Sequence, residues 1–214
     1  MGKRYSRYGL YSYIKNCCKE ISSGNNNVLF VGSGGELQAL VEDNLPTPNN
    51  IISIDFDDTK NPDLVMDITN LQFDEKTFDF VFMLEVLEHV PEPAKAMTEA
   101  HRCLRPGGKL FMSTPFVFGI HDAPHDYFRY TKYGLQYLTK HFESVEITER
   151  NNYIFGVCVL FIRLIMGRTI LDKMVGITFL VLISVLLPLI FIVGLFVKSD
   201  QLTTGYTTTC TKKL

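Results

Sequence analysis

The chain has 214 residues, 46% of them hydrophobic and 21% charged, so it can bury a full core without disulfide or metal staples and is not a disordered chain. Lys and Arg number 21 against 23 Asp and Glu, a formal charge of −2, which argues against a binder that works mainly by attracting nucleic-acid phosphates. Five cysteines (Cys17, Cys18, Cys103, Cys158 and Cys210), an odd count with no CxxC, fit a reducing compartment better than a disulfide framework or a zinc site of the usual spacing. The mean hydropathy of +0.10 is high for a soluble enzyme, and the excess is local.

Taken in chain order, Met1–Ser6 is basic with no apolar run after it, so no signal peptide is expected, although Met-Gly-Lys-Arg-Tyr-Ser matches the N-myristoylation pattern. Tyr11, Ile14, Cys18 and Ile21 recur at helical spacing and predict an N-terminal amphipathic helix within 1–24, whose basic, Tyr-rich character suits a membrane surface. Val28–Val31 reads as a buried strand, Gly32-Ser33-Gly34-Gly35 as a turn, and Glu36 to about Asp43 as a helix. Ile51–Asp55 is a second buried strand, Leu64–Met66 a third and Phe78–Met83 a fourth. Pro93 to Leu104 predicts a helix with Met97, Ala100 and Leu104 on one face. Pro106-Gly107-Gly108 breaks it, and Lys109–Ser113 is a fifth strand. Tyr133–His141 reads as a helix, Ser144–Glu149 as a strand, and Thr203–Thr211 as a closing strand. This alternation predicts a mostly parallel α/β sheet covered on both faces, with its ligand beyond the carboxyl ends of the strands.

A glycine turn between a buried strand and a helix lets the backbone approach a ligand closely. Glu36 occupies the position of the third glycine of the dinucleotide fingerprint. A carboxylate at the helix N-terminus competes with a phosphate, so a ligand with an amino-acid group and a ribose suits the turn better. Asp55 follows the glycines by about 20 residues, where an acid can accept both ribose hydroxyls; the alternative is an ordinary loop carboxylate. Asp67 is placed either to accept from an adenine amino group or to cap the turn before Ile68-Thr69-Asn70.

The stretches Val28–Glu36, Ile54-Asp55, Asp67-Ile68 and above all Phe78–Pro93 with Arg102–Leu110 resemble class I S-adenosylmethionine-dependent methyltransferases of the type 11 group, over about residues 25–150 plus the closing strand. The resemblance implies a Rossmann-like seven-stranded mixed sheet and S-adenosyl-L-methionine as cofactor. It implies that Gly32, Ser33 and Gly34 border the methionine part, that Asp55 holds the ribose, that Asp67 and Ile68 border the adenine, and that Leu84 and Glu85 line the sulfonium side. Two departures are plain: Phe30 replaces the usual acid two residues before the first glycine, and Glu36 replaces the third glycine. Glu36 is therefore expected to hold the amino end of the cofactor.

Methyl transfer needs an aligned acceptor, and an oxygen acceptor must lose its proton. The segment His121-Asp122-Ala123-Pro124-His125-Asp126-Tyr127-Phe128-Arg129-Tyr130 follows the fifth strand, and similar stretches occur in relatives that resemble enzymes acting on sugars and lipid-linked glycans. His125 is the expected general base and His121 the next choice, with Asp126 to orient one of them. The alternative is that His, Asp and Arg129 form a network that pins the loop. Glu85, Glu88 and His89 would share a face if helical, and with His121 or His125 the pattern resembles the divalent-metal site of small-RNA 3′-end 2′-O-methyltransferases and of some ubiquinone-pathway O-methyltransferases. The same letters occur in metal-free relatives, and no metal is assigned here.

Met174–Val197 is a run of 24 residues without a charge, a membrane candidate. A single span would separate Thr203–Thr211 from Glu146–Arg150, which the fold makes neighbours. The return arm, Tyr153–Gly167, has 15 residues, contains Arg163 and reaches about 22 Å, short of a hydrocarbon core of about 30 Å. The expected arrangement has an N-terminal helix over 1–24, a core over 25–151, a monotopic hairpin over 152–198 that dips into the cytoplasmic face of a membrane, and a closing strand within 199–214. The alternatives are that the two arms pack on each other or on a second subunit as a homodimer core, or that both cross the membrane as a two-span hairpin. The acceptor is then expected to be a hydroxyl of a lipid or lipid-linked glycan. The other readings are a metal-assisted 2′-O-methyltransferase of RNA ends and a non-catalytic membrane-anchored cofactor-binding scaffold.

Overall fold

The computed structural model describes residues 7–197 and 199–214; the N-myristoylation pattern therefore lies outside the described residues. Helix α1 (Tyr8–Glu20) leads into β1 (Asn26–Val31), α2 (Glu36–Asn44), β2 (Asn49–Asp55) and β3 (Leu64–Val65). Then come β4 (Phe78–Leu84), α3 (Pro93–Cys103), β5 (Leu104–Pro115), α4 (Lys132–Leu138) and β6 (Ser144–Glu149). Two apolar helices, α5 (Tyr153–Arg163) and α6 (Ile170–Phe196), precede the closing strand β7 (Gly205–Thr211). The seven strands form one sheet in the order β3-β2-β1-β4-β5-β7-β6. β7 runs antiparallel between β5 and β6, and the other neighbours are parallel. The register is continuous through the centre: Val28 lies beside Ile51 on one side and Phe80 on the other.

Period-two alternation sends β-strand side chains to two cores. Leu29, Val31, Val81, Met83, Leu110 and Met112 pack against Ala96 and Met97 of α3 and Leu135 of α4. Val28, Phe30, Phe82, Leu84 and Phe111 pack against Leu10, Ile14 and Cys18 of α1 and Leu37 and Val41 of α2. Phe30, at the family's acidic position, is a core residue stacked on Phe82 with ring centroids 6.4 Å apart. Truncating such a buried ring to alanine costs about 3–5 kcal/mol. Because the apolar face of α1 is buried in this core, it is not free to lie on a membrane as the sequence suggests. The five cysteines are free thiols. Burial pushes Cys17 and Cys210 up to about 12, which makes them packing residues rather than nucleophiles.

Two expected boundaries are corrected. β3 is not a buried strand: it is a two-residue edge with Leu64 and Val65 exposed. Pro106-Gly107-Gly108 does not break α3, which already ends at Cys103; these residues lie inside β5, where Leu104 pairs with Phe78, a register shift absorbs the glycines, and Gly107 N–H donates to the Lys212 carbonyl.

The apolar segment forms a helical hairpin. α5 is capped by Asn152, whose side chain accepts from Phe155 N–H, and α6 by a reciprocal pair between Thr169 and Asp172. The arms pack through Phe161 and Phe179, stacked at 4.3 Å, and through Gly176, where a side chain would strike the backbone at Leu164 and Ile165. The Asn152 side-chain amide donates to Gly194 O, so the two ends of the hairpin meet at its base. α6 buries only Gly176 and Ile183; Val181, Val185, Leu189, Phe191 and Phe196 are exposed.

Candidate functional site

The parallel strands β1, β2 and β4 end at one rim, and the loops beyond them enclose a cavity of about 880 Å³. Its lining includes Gly32, Ser33, Gly34, Glu36, Asp55, Asp67, Ile68, Leu84, Glu85 and His125, ten of the twelve residues singled out from the sequence. The structure thus gathers into one space residues that are up to 93 positions apart in the chain.

The glycine turn is shaped for close approach. Gly32, Gly34 and Gly35 have φ of 87°, 80° and 90°, which L side chains rarely adopt. A Cβ on Gly32 would lie 2.5 Å from Val86 Cγ2. Glu36 opens α2 and accepts a hydrogen bond from the Tyr11 hydroxyl (2.7 Å) and one from Arg7 (3.3 Å), so the N-terminal helix reaches over the turn. Burial, helped by Glu36, pushes the Tyr11 hydroxyl above its ordinary value. Asp55, at the tip of β2, accepts from Asp57 N–H through one oxygen. Asp67 accepts from Thr69 N–H through one oxygen, which is the turn cap foreseen as an alternative, while still lining the cavity.

Glu85 departs from expectation. It has φ of 57° and ends the strand sharply, so Glu85, Glu88 and His89 do not share a helical face; only Leu87–His89 forms a single 3₁₀ turn. Its carboxylate accepts from Ser113 Oγ (2.9 Å) and from both terminal nitrogens of Arg150. Burial alone would push the Glu85 carboxyl up, but Arg150's charge and hydrogen bonds, joined by Ser113, outweigh it and hold the carboxyl below the usual range.

His121 and Asp126 fall outside the cavity lining and form a neighbouring cluster. Asp126 binds Arg129 through both oxygens (2.6 and 2.7 Å) and accepts from His121 N–H (2.9 Å); Arg129, with burial opposing and His121 helping, holds its carboxyl down to about 2. Asp126 therefore stands beside His121, holding its backbone N–H with the ring Nδ1 3.5 Å away, and does not meet His125. His125 is exposed on the cavity wall, with Nδ1 2.8 Å from the Tyr127 hydroxyl and its ring edge-on to Phe56. The sequence missed Arg7, Tyr11, Phe56, Tyr127 and Arg150 as site residues. Only the exposed aromatics in the 121–130 segment carried a local signal.

Glu88 is fully buried, yet neither carboxylate oxygen receives a hydrogen bond among the described residues. His89 Nε2 and His121 Nε2 stand 3.6 and 3.7 Å from its Oε1. Burial pushes the Glu88 carboxyl up, and the nearby Glu88 oxygen in turn raises His121. Donor atoms of Glu88, His89 and His121 lie within 4.8 Å of one another.

A family described as a methyltransferase domain matches residues 30–112, the segment that builds the glycine turn, Asp55, Asp67 and Glu85–His89. The chain is 33% identical over 104 residues to a ubiquinone biosynthesis O-methyltransferase of Hydrogenovibrio crunogenus, covering 42% of this chain and 43% of that protein. It is 54% identical over 37 residues to the protein of the same name from Pseudomonas paraeruginosa, covering 17% and 16%. The matches thus span less than half the length of these relatives. Haemonchus contortus phosphoethanolamine N-methyltransferase 2, solved with S-adenosylhomocysteine, shares the fold at a TM-score of 0.61 and 13% identity, covering 97% of this chain and 53% of that one. Glycine turn, acid at the tip of β2, strand order with one antiparallel strand and the match over residues 30–112 agree: the chain carries a methyltransferase domain on the class I, Rossmann-like fold.

Proposed function

We propose that this protein transfers a methyl group from S-adenosylmethionine to a hydroxyl of a lipid or lipid-linked glycan presented at a membrane surface. The cavity fits the cofactor: a turn of three positive-φ glycines with open space at Gly35, an acid at the tip of β2, and apolar walls from Ile68 and Val86. The cofactor supplies an already activated sulfonium methyl, so the protein has to align, exclude water and remove a proton. Asp55 would accept from the ribose hydroxyls, Asp67 and Ile68 would border the adenine, and Glu36 with Arg7 would meet the amino and carboxyl ends of the methionine part. Arg150 and Ser113 fix the turn at Leu84-Glu85, which would line the sulfonium side. Nδ1 of His125 pairs with the Tyr127 hydroxyl; in the tautomer that places the proton on Nδ1, Nε2 would accept the acceptor's proton.

The observation that carries the membrane part is the exposed apolar helix α6, paired with a short arm that brings the chain back to the sheet. At about 16 Å, α5 is too short to cross a bilayer, which supports a hairpin that enters and leaves on one side. The test is to incubate the full chain with radiolabelled S-adenosylmethionine and a total lipid extract. Label in the organic phase, lost in Asp55→Asn, supports the proposal. Bound cofactor with no transfer to any fraction refutes it and leaves a cofactor-binding scaffold.

One observation favours a second reading, metal-assisted transfer. The orphaned carboxylate of Glu88 with His89 and His121 is a donor set suited to Mg²⁺ or Mn²⁺, although Glu85 is held away by Arg150. A cation there would polarise an acceptor oxygen and ease loss of its proton. Mn²⁺ binding that vanishes in Glu88→Gln would support it.

A further inference from the structure

We infer that Arg163 reads an anionic group, phosphate or carboxylate, at the head of an apolar-chain acceptor that approaches the methyl-transfer site along the hairpin. This deepens the proposed function and rests on it for the identity of the reaction.

The placement follows from the topology. β5 and β6 are both parallel to the central strands, so both end at the rim that carries the cavity. The loop after β5 contains Phe118, and the helix after β6 is α5. The guanidinium of Arg163, at the last turn of α5, lies 3.7 Å from the centre of the Phe118 ring. Phe118 in turn meets the His121 ring edge-on at 5.4 Å, and its carbonyl accepts from Arg129 Nε. Arg163 is thus one aromatic ring from the cluster beside the cavity and one turn from the exposed apolar arm.

Its charge is what the fold leaves unanswered. Among the described residues Arg163 forms no ion pair, and the other charges that reach it are Arg7 and Arg129, both of its own sign. Those two are already matched, Arg7 by Glu36 and Arg129 by Asp126. A half-buried guanidinium beside two others is unfavourable unless an anion joins it. Stacking on Phe118 holds the planar fork in place but supplies no counter-charge. The surroundings specify the rest of the ligand. Phe161, Leu164 and Met166 of the same arm are exposed, and α6 beside them carries no charge from Met174 to Phe196. An oxyanion attached to an apolar chain satisfies both surfaces together.

The test uses the full chain in neutral detergent micelles and follows heat on titration with dicetyl phosphate. Hexadecanol and inorganic phosphate serve as the uncharged and the chain-free probes. Dicetyl phosphate should bind, with the other two much weaker. Arg163→Gln should lose about tenfold or more, the scale of one charge-assisted pair, and Arg163→Lys should lose less because it keeps the charge without the fork. Arg168→Gln, on the exposed turn of the hairpin, should bind as the parent does. S-adenosylmethionine titrated into each variant reports folding and tests the methyltransferase reading separately. Undiminished binding by Arg163→Gln overturns the inference, as does an equal loss in Arg168→Gln, which would mark diffuse surface charge. Inorganic phosphate binding as tightly as dicetyl phosphate overturns the lipid assignment.

Discussion

Replacing Arg150 by methionine should remove the counter-charge of Glu85 while keeping the bulk of the chain in place. Arg150 is 1% exposed and Glu85 11%, so water cannot replace the lost partner. Breaking a buried pair from one side costs about 3–5 kcal/mol, chiefly from the stranded charge. In urea this moves the unfolding midpoint by about 1–2 M. The loss should depend on pH in a defined direction. In the parent, Glu85 is held below its ordinary value of 4.5, so its contribution is complete above 4.5 and is lost as pH falls through the lower folded value. In Arg150→Met, burial raises Glu85 above 4.5, so the penalty is largest near neutrality and shrinks on acidification towards that value. The double variant Arg150→Met, Glu85→Gln should recover most of the stability. Urea unfolding followed by circular dichroism across that range measures all three. A loss below 1 kcal/mol, or one that is independent of pH, would refute the claim that this pair is a buried, charged support of the cavity floor.

Gly32→Ala combines a φ of 87° with a Cβ 2.5 Å from Val86 Cγ2, so cofactor titration should show at least a tenfold loss together with about 1 kcal/mol or more of stability. Glu88→Gln should stabilise the metal-free protein near neutrality. The folded carboxyl is raised, so what it contributes is present below its unfolded value and lost as pH rises through the folded one; thermal unfolding against pH checks this, and a less stable variant contradicts it. Val185→Lys with Phe191→Lys, at exposed positions of α6, should release the protein from phosphatidylcholine vesicles in a flotation assay without lowering the melting temperature. Retained binding would mean that α6 is not the membrane-facing surface.

What the sequence made legible was local. Val28–Val31 before three glycines, and Asp55 about 20 residues later, place a glycine turn and an acid on one cavity because chain spacing fixes them at neighbouring strand tips. The pairing of the closing strand with Ser144–Glu149 was also accessible, through the fold that the resemblance implies, and the return of the hairpin to one side follows from it. Contacts made across the chain were not. Arg150 meets Glu85 from 65 residues away, and Tyr11 meets Glu36 from 25; no periodicity reports such pairs. The ExxEH letters misled because helical spacing was assumed through Glu85, whose φ of 57° turns its side chain towards Arg150 and leaves Glu88 to the histidines. β3 misled because an edge strand of two residues carries the same apolar letters as a buried one. α1 is amphipathic for its own core, and amphipathicity by itself does not say whether protein or lipid covers the face.

The most direct test of the account is calorimetric titration of S-adenosylmethionine into the intact protein and into Asp55→Asn. The account predicts a single site per chain in the parent and at least a tenfold weaker one in the variant, as expected when a ribose acceptor is lost. No heat from the parent, or equal affinity in both, would contradict it.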